Sequence, residues 1–309
     1  MASSTRTEPV VRVDHLRKTY GSVAAADDVS FEVFPAEIFG LLGPNGAGKT
    51  TSLECLEGLR RPDSGAMTVM GVDAVREAAR LPGLLGVQLQ SSGLPDGITV
   101  DEAMRLFCAY HRVAPRYDLL EQFGLGDKRR AQFHLLSAGQ QRRLALMLAI
   151  APEPKLVILD EPTAGLDVAS RAQLHDIMRG LRAKGTTIIL SSHDMAEVEQ
   201  LADRVTILLR GRTVATGTPR ELTASGGQLT RITVRTQASS LAGDAVIPNV
   251  SQRDVQGEYI IYFSSDVAAS IGAILARIAE QGDTLVDLRM ERPSLEERFL
   301  EITAPGGRQ

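Results

Sequence analysis

The stretch Gly43-Pro44-Asn45-Gly46-Ala47-Gly48-Lys49-Thr50 constrains this chain more than any other. It fits the pattern G-x-x-x-x-G-K-[ST], in which glycines let the backbone turn sharply and bring its N–H groups against an anion. Ile38 to Leu42, just before it, predicts a short buried strand. Thr51 to Leu59, just after it, predicts a helix with Leu53, Leu56 and Leu59 on or near one face. The loop is therefore expected at a helix N-terminus, where free N–H groups and the macrodipole favour phosphate. Lys49 is expected to reach the β- and γ-phosphates of a nucleotide, and Thr50 to offer its hydroxyl to Mg2+.

A length of 309 residues predicts two domains, and an apolar fraction of 43% allows both to have cores. Trp is absent, so Ala, Leu, Val and Ile must do the packing. The net charge of -4 argues against a nucleic-acid backbone as the main partner, since that calls for a basic surface. Cys55 and Cys108 lie far apart without metal-ligand spacing and are expected to be ordinary reduced residues. Met1 to Pro9 is polar, with neither an apolar signal core nor a glycine at position 2 for acylation. No apolar run approaches the ~18 residues needed to span a bilayer. The best candidate, Leu144 to Ala151, stops at Pro152. This chain alone is not expected to cross a membrane.

The expected order begins with strands at Val10 to His15, Val29 to Phe34 and Met67 to Met70, then a short strand at Gly86 to Gln90. Thr99 and Glu102 form a capping box that opens a helix through about Tyr110. The region from about 91 to 150 reads as a helical insert, closed by a long helix from Ser137 to before Pro152. Leu156 to Leu159 and Thr186 to Leu190 are apolar runs that fit central parallel strands, joined by a crossover helix at Val168 to Ala183. Asp194 to Ala202 is a further helix, with Asp194 and Glu197 expected to form a D-x-x-E cap, and Arg204 to Leu209 with Thr213 to Thr216 a hairpin about Arg210-Gly211. A short helix follows Thr218, and Ala224 to Gly227 reads as a linker. The remainder, 228–303, predicts a small α+β domain of about 75 residues, a size that folds alone. Its strands are Leu229 to Thr236, Val250 to Val255, Tyr259 to Phe263 and Thr284 to Met290; its helices are Val267 to Glu280 and Ser294 to Ile302.

Chemistry beyond the loop comes from two segments. Leu156-Val157-Ile158-Leu159-Asp160-Glu161 is an apolar strand ending in two carboxylates, and ligands of open α/β sheets sit at such strand ends. Asp160 suits Mg2+ held partly through water, and Glu161 suits accepting a proton from an attacking water or orienting it. Ser137 and Gln140 form a capping box by themselves; a capped N-terminus is also an anion site, where Ser137 and the Gly139 N–H could face a γ-phosphate.

The order of Tyr20, Gly43 to Thr50, Gln90, Leu136 to Gln140, Leu156 to Glu161, Ala164-Gly165-Leu166-Asp167 and His193 resembles the ATP-binding subunit of an ABC transporter, over roughly residues 8–222. The resemblance implies an α/β fold: a P-loop ATPase core with a mixed, mainly parallel sheet, N-terminal antiparallel strands and the helical insert. It implies that Gly43, Pro44, Asn45, Gly46, Ala47, Gly48, Lys49, Thr50 and Thr51 line ATP, that Tyr20 stacks on adenine, and that Thr50, Gln90 and Asp160 serve Mg2+. Gln90 would also sense the membrane partner, with Gln88 as the alternative. Lys49, Glu161 and His193 would carry the hydrolysis, His193 by contacting the γ-phosphate. Ser137, Gly139 and Gln140 would cover the γ-phosphate held by a second copy, and Asp167 would couple the two sites. The family signature usually has Gly where this chain has Ala138, a methyl tolerated at a helical N1 position but close to the phosphate.

Pro293 to Glu301 is similar to the end of ATPase subunits of ABC-2 type exporters of drugs and antibiotics. An exporter is therefore expected over an importer. The partners implied are a multi-span membrane permease subunit, as a separate chain, and a second copy of the ATPase. The implied location is peripheral, on the cytoplasmic face of the cell membrane. A soluble relative acting on nucleic acid or ribosomes is the alternative. Such proteins usually carry two cassettes, long coiled-coil insertions or zinc-binding cysteines, none of which is found here. The C-terminal domain could also be a ligand-sensing regulator, a role that can coexist with export.

Overall fold

Apolar runs without polar interruption form the central sheet. Strands β3 (Ile38–Leu42), β6 (Leu85–Gln88), β7 (Leu156–Asp160), β8 (Thr187–Ser192) and β9 (Arg204–Leu209) are parallel, and β10 (Arg212–Gly217) adds an antiparallel edge. The order is β10-β9-β3-β8-β7-β6. Every residue of β3, β7 and β8 is buried, as expected when both faces of a sheet are covered. A second sheet, ordered β2-β1-β4-β5, is antiparallel: β1 (Val11–Tyr20), β2 (Val23–Val33), β4 (Ser64–Val69) and β5 (Val72–Asp73). Phe31 of β2 stacks on Phe39 of β3 with ring centres 5.3 Å apart, joining the two sheets in one core. The computed structural model describes residues 8–88, 93–224, 229–242, 246–291 and 294–303, and the chain divides into two compact units, 1–219 and 220–309.

The helices of the first unit are α1 (Lys49–Leu56), α2 (Val100–Tyr110), α3 (Tyr117–Gln122), α4 (Ala138–Ile150), α5 (Val168–Ala183) and α6 (Met195–Leu201); α7 (Pro219–Ala224) begins at the division. The capping boxes expected at Thr99 and Ser137 are present, at the starts of α2 and α4. The β9–β10 hairpin turns at Arg210 and Gly211, both with positive φ, the geometry that matches strand twist. Among the described residues no helix is long and apolar enough to cross a membrane.

Three local expectations need correction. The helix after the phosphate loop starts at Lys49 and ends at Leu56, so Leu59 lies beyond it and is 62% exposed. β1 does not stop at His15: that residue takes φ 50 at a break in register, and pairing with β2 resumes at Leu16 and continues to Tyr20. β8 runs on through Ser191 and Ser192, polar residues that stay buried because their hydroxyls are bonded. The proposed linker residues 225–227, Gln90 and Pro293 lie outside the described residues.

The second unit is an antiparallel sheet, ordered β12-β13-β11-β14, of β11 (Thr230–Thr236), β12 (Val250–Gln256), β13 (Tyr259–Ser264) and β14 (Leu285–Glu291). Alternate residues Ile232 and Val234 of β11 and Ile260 and Tyr262 of β13 are buried in one core with Ile274 and Ile278 of α8 (Val267–Glu280). Asp266 caps α8 by accepting from the Ala269 N–H. Ser294 and Glu297 exchange hydrogen bonds at the start of α9 (Leu295–Thr303).

Candidate functional site

β3 delivers the chain to the loop, and packing dictates its glycines. A Cβ on Gly48, at φ 100, would meet the Ala25 carbonyl oxygen at 2.2 Å; one on Gly43 would meet that of Leu208 at 2.4 Å. Gly46, at φ 80, has nothing within 4 Å, so the loop crest is open. Pro44, Asn45, Gly46 and Thr50 are exposed, Thr51 is half-buried, and Ala47 is buried beneath them. Lys49, the first residue of α1, is buried, and its ammonium donates to the carbonyls of Gly43 (2.9 Å) and Pro44 (3.3 Å). Held back over its own loop, it lies 3.6 Å from Glu161 Oε1.

The parallel strands bring the acidic end of β7 to this lysine. Asp160, 4% exposed, accepts from the Ser191 hydroxyl of β8, and the same hydroxyl oxygen accepts from the Glu161 N–H at 3.0 Å. Glu161 turns out of the strand at φ 46, a left-handed conformation uncommon for a residue with a side chain. Its Oε1 lies 3.1 Å from Nδ1 of His193, which follows directly on β8 and is half-exposed. Lys49, Asp160, Glu161 and His193 thus form one cluster. A cation, two carboxylates and an imidazole beside an open N–H-rich turn can bind phosphate and take up a proton, although among the described residues no three of His, Cys, Asp or Glu are placed to hold a metal ion by themselves.

A second group gathers at the N-termini of α4 and α5. Ser137 Oγ accepts from the Gln140 N–H (3.3 Å), and Gln140 Oε1 accepts from the Ser137 N–H (2.9 Å). Gly139 is buried against α5: a Cβ there would meet Ser170 Oγ at 2.6 Å. Ser170 in turn donates to Asp167, the N-cap of α5, through its N–H and its hydroxyl, both at 2.9 Å. These bonds hold the Asp167 carboxyl below its usual range, the backbone one foremost. Ala138 is exposed. Tyr20 stands apart at the end of β1, 41% exposed, with the Arg60 guanidinium 5.5 Å and the Lys18 ammonium 5.6 Å from its ring centre.

Several residues at the site carried no signal of their own in the sequence. Arg142 of α4 is within electrostatic reach of both acidic residues: burial lowers its pKa, while the charges of Asp160 and Glu161 act the other way. Its position in the turn after the Ser137 cap was the available clue. Burial pushes the Glu57 carboxyl up to about 8, and the charge of Asp160 adds to it. Glu57 lines an apolar groove of about 470 Å3 with Leu106, Tyr110 and Gln88. Gln88 is buried there, and neither of its amide atoms has a hydrogen-bond partner among the described residues. Ser191, Ser192, His175 and Glu197 are buried polar residues that apolar patterning cannot point to.

The model of the family described as ABC transporter matches residues 26–164. The daunorubicin resistance ATP-binding protein DrrA3 of Streptomyces coeruleorubidus is 34% identical over 304 residues, covering 96% of each chain. The Nod factor export ATP-binding protein I of Rhizobium meliloti is 36% identical over 304 residues, covering 96% of this chain and 89% of that one. Among solved structures, an ATP-binding subunit of an ABC transporter superposes with a TM-score of 0.65 at 28% identity, covering 71% of this chain and 93% of that one. A phosphate cradle, an acidic strand end and a histidine meeting in one cluster, within a chain alike from end to end to ATP-binding proteins of this kind, leave one conclusion: the chain belongs to the ABC transporter family, as an ATPase.

Proposed function

We propose that the chain powers export of a substrate through a separate multi-span membrane subunit, on the cytoplasmic face of the cell membrane, with two ATPs held between two copies. The observation that carries this reading is the meeting of Lys49, Glu161 and His193 at the mouth of an open phosphate loop. The relatives named for daunorubicin resistance and Nod factor export support the direction of transport.

The residues fit ATP. A cradle in which Gly43 and Gly48 admit no Cβ, with a buried ammonium that donates to the loop carbonyls of Gly43 and Pro44, has donors to offer a β- or γ-phosphate. Thr50 and Asp160 are the oxygen ligands for Mg2+, an ion that keeps several waters and takes few protein ligands. Bound there, Mg2+ would neutralise charge developing on the phosphates. Glu161 orients the attacking water and draws on its proton, and His193, hydrogen-bonded to Glu161, faces the γ-phosphate. Tyr20 stacks on adenine. Ser137, Gly139, Gln140 and Asp167 serve the ATP of the second copy, consistent with side-chain hydrogen bonds that stay within their own group.

Glu161→Gln tests this reading. The variant should bind ATP as the parent does, lose turnover by at least about 100-fold, as removal of a general base does, and accumulate as an ATP-bound pair in size-exclusion chromatography. Ordinary turnover would remove Glu161 from its role.

A further inference from the structure

Behind the catalytic cluster lies a buried polar group with no place in the reading above. Glu197 of α6 has a side chain only 1% exposed. A carboxylate is stable at such depth only when its lone pairs are taken up. Three side chains do this. Thr163 Oγ1 donates to Oε2 at 2.7 Å, Ser192 Oγ donates to the same oxygen at 3.2 Å, and His175 Nε2 sits 2.8 Å from Oε1. Thr163, Ser192 and His175 are themselves buried.

The places these residues occupy matter more than their burial. Thr163 is two residues beyond Glu161, and Ser192 is the residue before His193. One carboxylate therefore ties down both chain segments whose side chains meet at the 3.1 Å Glu161–His193 contact. Glu197 is itself anchored. Its N–H donates to Asp194, the cap of α6, at 3.0 Å, and Asp194 pairs with Arg171 of α5 at 3.0 Å. His175 and Arg171 both stand on α5, the helix that Asp167 caps. The network thus runs from the Asp167 helix to the segments carrying Glu161 and His193 without using any group assigned to ATP.

We infer that Glu197 is a positioning residue for ATP hydrolysis, holding the Glu161 and His193 segments in register through hydrogen bonds from Thr163 and Ser192. It touches neither nucleotide nor attacking water. Its effect is on geometry, and a misplacement of about 1 Å at a reacting group costs up to about 100-fold in rate. The inference rests on the roles proposed above for Glu161 and His193.

The test uses the full-length protein and separates turnover from binding. Thr163→Val removes the hydroxyl at nearly constant shape; Thr163→Ser keeps it; Glu197→Gln keeps the size of the side chain and removes its charge. Steady-state ATPase assays give kcat and KM, and calorimetric titration with a non-hydrolysable ATP analogue gives Kd. Thr163→Val and Glu197→Gln should lower kcat about 10- to 100-fold, with Kd for the analogue unchanged within about twofold, and Thr163→Ser should recover most of the loss. Wild-type kcat in Thr163→Val overturns the inference. So does a fall in kcat matched by an equal loss of analogue binding and not relieved by Thr163→Ser, which is what a purely structural role predicts. An unsubstituted chain with no ATPase activity would overturn the proposed function and this inference together; an active one with unaffected variants overturns the inference alone.

Discussion

Gly48 cannot carry a side chain without moving the strand beside it, because its φ of 100 and the Ala25 carbonyl at 2.2 Å both exclude a Cβ. Gly48→Ala is therefore expected to destabilise the chain by more than about 1 kcal/mol and to lose measurable ATP binding, since the loop must open to relieve the clash. Thermal melts and titration with ATP read the two effects. Glu57 makes a different demand. Its carboxyl is raised from an ordinary 4.5 to about 8, by burial first and then by Asp160 and Glu54. In the unfolded chain the group ionises near 4.5 while the folded chain keeps its proton, so the folded state is progressively disfavoured as pH rises from about 4.5 to about 8 and levels off above that. Glu57→Gln should flatten this fall. Its Tm should match the parent near pH 4 and exceed it at pH 8, by about 3 °C for each kcal/mol of stabilisation.

Between elements, the contact of α4 with α5 rests on one missing methyl. Gly139→Ala would push against Ser170 Oγ at 2.6 Å and drive that hydroxyl from Asp167, weakening the cap of α5. A cost of about 1 kcal/mol is expected by denaturant melt, and Ser170→Ala in the same chain should remove the Oγ contact and leave only the closer packing against the Cβ at 3.0 Å, so the pair should be less harmful than the sum of the two. The elements themselves were largely legible in the sequence. The crossover helix Val168–Ala183 and the helix Val267–Glu280 follow from periodicity and have the expected ends. What misled were places where a local rule yields to packing. The apolar residue Leu59 looked like the next turn of a helix that stops at Leu56. The strand expected over Thr186 to Leu190 runs on through Ser191 and Ser192 because the carboxylates that satisfy them, Asp160 and Glu197, stand on other elements. The site follows the same pattern. Its loop and acidic strand end are contiguous motifs and could be read directly, whereas Arg142 reaches it through folding and could not, and Glu197, expected to complete the cap of α6, has only its N–H bonded to Asp194 while its carboxylate is taken by Thr163, Ser192 and His175.

For the whole molecule, ATP should act as a stabiliser of the first unit. Mg-ATP at ~100 times its Kd is expected to add about 2.7 kcal/mol to the unfolding free energy of the part that binds it. The unit formed by residues 220–309 has its own sheet, helix and core. A chain shortened to residues 1–219 should therefore keep the ATP-dependent shift in Tm, and its loss on truncation would show that the first unit depends on the second. The proposed pairing of two copies has a kinetic consequence. The loop crest at Pro44, Asn45 and Gly46, Thr50 and the half-exposed His193 all open outwards. If a second copy must close over them, activity per milligram is not a constant of the protein. Below the pairing constant the rate should grow as the square of concentration, so a tenfold dilution would cost nearly tenfold in specific activity, a dependence that an enzyme complete within one chain would not show.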